Sequence, residues 1–249
     1  MLPNKFTKQQ WRTSVEGIYT AVMGMFICSI VAGIVSFFSA MVPFLSIVSI
    51  IIAIISLYFM FNYYSNLGEW KMLIPDQKDA KCIGYFRFYA LFQLINACIG
   101  IVLLGATIVS YMIFPSAAIA VFNIIINLLT IANFIVAIFI FIGFILETTA
   151  AASLRKSSTM HHKVREGMNR IYKSNMLLII GIPSFIIISL IVYCTATSPR
   201  PIFAWFMAAA LLALMIAIIV LRLTGWKRVS ESDYIEEPAI DDSETLPIA

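Results

Sequence analysis

The chain has 249 residues, 61% of them hydrophobic and 12% charged, with a formal charge of +4. A soluble domain carries about 25% charged residues, and half that content cannot coat a water-soluble protein of this size. A soluble fold is excluded, and the class is an all-α membrane protein.

Residues 1–16 form a short basic lead with Lys5, Lys8 and Arg12. No small-residue cleavage site closes the first apolar run, so it reads as a retained helix and not as a signal peptide. From Gly17 to Gly68 there is no charged side chain. A turn at Ala40-Met41-Val42-Pro43 predicts spans of about 17–40 and 44–64. Residues 65–83 are polar, with Pro75 breaking any helix.

Phe88 to Leu146 is again uncharged, over 59 residues. One crossing takes about 20 residues at a rise of about 1.5 Å each, so this run predicts two. Phe114-Pro115-Ser116 is its only break, which gives spans of about 85–113 and 116–147. Residues 148–174 are basic through Arg155, Lys156, Lys163, Arg165, Arg170 and Lys173. Such a segment attracts anionic lipid headgroups at about 1 kcal/mol per basic residue. The last pair of spans is about 175–196 and 202–223, turning at Ser198-Pro199-Arg200-Pro201, and no span reads as clearly interrupted at its middle. Residues 17–228 thus form the six-span bundle. The remaining segment, 229–249, holds seven acidic and no basic residues and reads as a disordered acidic tail.

Sixteen of the 17 Lys and Arg fall on the two terminal segments and the two polar loops, and only Arg200 falls on an opposite turn. Cytoplasmic loops retain Lys and Arg. The expectation is therefore three helical hairpins with both termini cytoplasmic, in a plasma (inner) membrane. A weak repeat accompanies the hairpins: Pro43, Pro115 and Pro201 open the returning helices. The Pro-x-Asp/Glu-x-x-Lys/Arg motif of mitochondrial solute carriers, another three-hairpin architecture, is missing at every odd helix, so the chain is not assigned to that family.

No chemistry-bearing motif stands out. There is no Walker-type glycine loop, Gly-x-Ser-x-Gly elbow or His-Glu-x-x-His, so no enzyme is expected. His161 and His162 are adjacent and point about 100° apart on a helix, which suits no metal. The four cysteines form no Cys-x-x-Cys pair and indicate neither zinc nor a disulfide framework. No cofactor and no nucleic-acid partner is implied.

The informative polar residues are amides. Asn123, Asn127 and Thr130 share one helix face, and Gln93, Asn96 and Gly100 share another, with Asn133 near the level of Asn96. They fit either a polar path across the membrane or interhelical hydrogen bonding. Ser29, Gly33, Gly100, Gly105 and Ala106 thin their helices for close packing within the bundle or between protomers. An ion pair between Arg87 and Glu147 would close the base of the central hairpin. Trp11, Trp70 and Trp226 fit an aromatic belt at the interface. Two functions follow: a non-enzymatic component that assembles with itself or with other membrane subunits, or a small channel or transporter lined by the central amides.

Overall fold

The computed structural model describes residues 5–39, 45–113, 118–195 and 201–233. The predicted turns at 40–43, 114–116 and 198–200 fall outside them, as does 234–249. Among the described residues the chain is all helical with no strand. The helices are α1 (Lys5–Ser39), α2 (Leu45–Leu73), α3 (Gln77–Ile113), α4 (Ala118–Leu154), α5 (His162–Met176), α6 (Ile182–Thr195) and α7 (Pro201–Ser230). A π-helical turn, Leu177–Gly181, joins α5 to α6, so these make one continuous span. Six helical stretches are then long and apolar enough to cross a membrane.

Each helix outruns the limits that charge alone implied. At about 1.5 Å per residue, the 35 residues of α1 reach about 50 Å, against a hydrocarbon core of about 30 Å. The excess lies at the end that carries the Lys- and Arg-rich segments, the basic end. There the sequence turns amphipathic, with apolar residues at i, i+4, i+7 or i, i+3, i+7: Trp11-Val15-Ile18, Tyr63-Leu67-Trp70, Ile83-Phe86-Ala90 and Val164-Met168-Ile171. That spacing presents one apolar stripe per helix, and all these residues are buried in a single cluster. Each such side chain contributes about 1.5–3 kcal/mol when withdrawn from water.

The lead and the start of the tail belong to this head. Residues 5–16 are part of α1, with Trp11, Ser14 and Val15 buried. Val229 is fully buried, and Trp11 Nε1 donates to Ser232 Oγ at 3.3 Å. Nor do the three tryptophans form an interfacial belt. Each is at most 1% exposed. Their rings meet edge to face, Trp11 to Trp70 at 5.7 Å and Trp70 to Trp226 at 6.5 Å. A ring enclosed by six amphipathic ends loses the headgroup contact that defines a belt.

Local chemistry sets the ends. Asp76 Oδ1 accepts from Lys78 N at 2.7 Å and caps α3. His161 Nδ1 accepts from Lys163 N at 3.2 Å and caps α5. The buried Asp79 accepts from the hydroxyls of Ser157 and Thr159, which pins the α4–α5 loop to α3.

Around the bundle α1 packs on α2, α2 on α3, α3 on α4, α4 on α5, α5 on α7 and α7 back on α1, a closed cyclic order. At the crossing of α5 with α7 backbone meets backbone. A Cβ on Gly167 would stand 2.5 Å from Gly225 O, and one on Gly225 2.9 Å from Gly167 O, so only glycine permits the approach. Gly33, Gly100 and Gly105 behave otherwise: a Cβ on any of them would meet nothing within 4 Å. They are not close-packing points within this chain.

The fifth span departs from the uninterrupted helix expected. Pro183 lacks an N–H and its ring excludes the carbonyl four residues earlier, that of Ile179. The π-helical turn contains Ile179 and absorbs the misfit.

Candidate functional site

The candidate site is a buried polar cluster at the basic end. Five helices supply it: Tyr63 from α2, Tyr89 from α3, Glu147 from α4, Asn175 from α5 and Arg222 from α7. Arg222 Nη2 donates to Glu147 Oε1 at 2.6 Å, and Arg222 Nη1 donates to Asn175 Oδ1 at 3.1 Å. Glu147 and Asn175 are fully buried, while the Arg222 side chain keeps about 26% exposure. Tyr63 and Tyr89 face the pair. Trp226 roofs it, edge to face with Tyr63 at 5.8 Å and with Phe86 at 5.7 Å. Ser174 Oγ donates to Ile218 O at 2.9 Å and fixes α5 against α7 alongside.

The cluster is only partly satisfied. Glu147 Oε2, Asn175 Nδ2, Tyr63 Oη and Trp226 Nε1 are buried and make no well-formed hydrogen bond, with Asn175 near Glu147 and Tyr63 near Arg222. One acceptor and three donors thus stand weakly engaged among the same helix ends. A carboxylate oxygen beside amide and phenol donors can hold a proton, a water or a small polar group. Among the described residues no three His, Cys, Asp or Glu converge on a metal position.

The expected Arg87–Glu147 pair is not formed. Tyr89 takes the α3 face toward α4: a Cβ on Gly143 would lie 3.1 Å from Tyr89 Cα, and Tyr89 meets Phe144 at 6.0 Å. Arg87, two residues earlier, points about 200° away around the helix. Its guanidinium lies over the Tyr64 ring of α2 at 4.4 Å instead. Arg222 takes its place. The sequence carried a signal for this, since Arg222 precedes Trp226 by four residues and so shares its inward face.

The amides are dispersed. Gln93, Asn96 and Asn133 are half-buried, and Asn127 and Thr130 are exposed. Thr130 Oγ1 donates to Ile126 O of its own helix at 2.8 Å. The side chain of Asn123 lies outside the described residues. Where α3 meets α4 at this level, the partners are rings: Phe92 stacks on Phe139 at 4.8 Å, with an interplanar angle of 11°. No hydrogen bond joins the two sets of amides among the described residues.

The basic segment 148–174 is partly neutralised from within. Arg155 stacks on Tyr172 at 4.0 Å, Arg170 pairs with Glu166 at 2.7 Å, and Lys163 Nζ donates to Glu231 O at 2.9 Å. No family model, no curated protein and no solved structure matches this chain.

Proposed function

We propose that the chain is a non-enzymatic plasma-membrane protein whose six spans form three hairpins, with both termini cytoplasmic, and whose lipid-embedded halves assemble with a second copy or another membrane subunit. The supporting observation is uneven packing. The head at the basic end is closed, yet only 6–28% of residues in the apolar windows of the spans are buried within the chain. The extreme is α6. Ile186, Ile187 and Ile188 are each more than half exposed, and three consecutive residues sweep about 200° of a helix. Without a hydrophobic drive in lipid, helices associate through van der Waals packing and small residues, and α6, Gly33, Gly100 and Gly105 offer such surface unoccupied. The cations of segment 148–174 with no ion pair among the described residues, Lys156, Arg165 and Lys173, meet anionic headgroups beneath the bundle.

The test is isolation of the tagged chain from its native membrane in mild detergent, with mass spectrometry of what accompanies it. A stoichiometric partner, or a homo-oligomer disrupted by Ile187→Trp, is expected. A monomer without partners after chemical cross-linking in the membrane would sink the proposal.

A channel or transporter is the second function. It is favoured by the cyclic helix order, the Glu147–Arg222 cluster within its basic end and the π-helical break before Pro183, since interrupted helices line transport sites. Vesicle flux that changes with Glu147→Gln would establish it.

A further inference from the structure

We propose that the cleft between α2 and α3 at the basic end binds the phosphate headgroup of an anionic phospholipid, with Arg87 as its anchor. The cleft encloses about 530 Å³ and is lined by Tyr64, Ser65 and Gly68 of α2 and by Arg87 of α3, with Lys71 at its rim.

Arg87 is held there by shape. Its guanidinium lies on the Tyr64 ring, and a Cβ on Gly68 would stand 3.0 Å from its Cζ. Among the described residues its buried Nε has no hydrogen-bond acceptor and no carboxylate pairs with it. A positioned guanidinium facing a cavity, with no carboxylate paired to it among the described residues, fits phosphate, which accepts its planar fork through two oxygens. Glu69, the acid lining the cleft, is drawn toward α1, where its Oε2 accepts from Ser14 Oγ at 3.3 Å. Two cations therefore face one partly engaged acid.

Two further observations select a lipid over a soluble phosphate. Gly68 and Arg87 close the uncharged runs 17–68 and 88–146, the depth at which headgroups sit and arginine snorkels. From the cleft, Phe61, Tyr58, Ile54 and Ile51 continue along one face of α2, each more than half exposed. That stripe is the path of an acyl chain.

Native mass spectrometry of the full chain in non-ionic detergent, titrated with dioleoyl phosphatidylglycerol or dioleoyl phosphatidylcholine, tests the site without regard to assembly. Phosphatidylglycerol is expected to bind at least tenfold more tightly, with Arg87→Gln removing most of the difference. Lys71→Glu, an exposed change that leaves the core intact, should weaken it severalfold even if Arg87→Gln does not fold. Lys156→Gln should leave it unchanged. Equal binding of the two lipids, or indifference to both cleft substitutions, overturns the proposal. So does displacement by millimolar glycerol 3-phosphate, which would mark a soluble-phosphate site.

Discussion

Glu147 is fully buried and accepts from Arg222 Nη2 at 2.6 Å, and the cost of disturbing it is asymmetric. Removing one member of a buried pair leaves the other uncompensated, worth about 3–5 kcal/mol, whereas replacing both with apolar residues is often neutral. Because Arg222 keeps some exposure to water, Arg222→Met should cost about 3 kcal/mol, at the low end of that range. The double variant Glu147→Leu, Arg222→Met should recover most of the loss. Thermal unfolding in detergent measures both, and a double variant as unstable as the single would show the pair is not the source. Glu147 was legible in the sequence as a carboxylate closing an apolar run. Its partner was not, because Arg222 lies 75 residues away and meets it only once α7 is wedged beside α4 and α5. Side-chain direction decided the rest: Arg87 was near enough along the chain but on the wrong side of α3.

Among the helices, the α5–α7 crossing rests on glycine. Gly167→Ala forces a carbon into Gly225 O and should cost about 1–3 kcal/mol, as overpacking does. Gly100→Ala, facing open space, should be neutral or add up to about 1 kcal/mol through helix propensity. If the two shift the melting temperature alike, the crossing does not depend on glycine. Pro183→Ala should convert the π-helical turn to regular helix and turn α6 relative to α5. Pairs of spin labels across residues 170 and 190 would register that as a changed distance. The lengths of the apolar runs made all six spans legible. Ala150, Ala151 and Ala152 also marked 148–174 as an extension of the neighbouring spans. The other extensions were not legible, because charges interleaved with Trp11, Leu67 and Ile83 read as polar loop until the stripe they leave is set on a helix. Pro183 was visible too, but a proline in a long apolar run shows its effect only through the carbonyl it displaces.

At the scale of the molecule, stability is concentrated at one end. Buried tryptophans, the ion pair and the amphipathic stripes all lie in the head, and among the described residues the opposite halves hold few buried side chains. Truncation should therefore divide the protein: in thermal unfolding, Leu67→Ala, Phe86→Ala and Met168→Ala should each cost about 2–5 kcal/mol, and Ile187→Ala far less. Equal losses at the two ends would contradict so uneven a bundle. Orientation is tested separately. A cysteine introduced beside Arg200 should react with impermeant reagents from outside intact cells, and one at Lys156 only after permeabilisation.

The contact between Trp11 and Ser232 has a consequence for how the chain is made. A ribosome delivers the first tryptophan of the head some 200 residues before the last. Until Trp226 and Ser232 emerge, α1 has packed on α2 but its other flank is bare. Every earlier intermediate is an open arc with an exposed aromatic edge, the kind of surface on which quality-control factors act. Translation that stops before α7 should thus yield a chain correctly threaded through the membrane and yet rapidly destroyed, so that cells hold either the whole head or none of it.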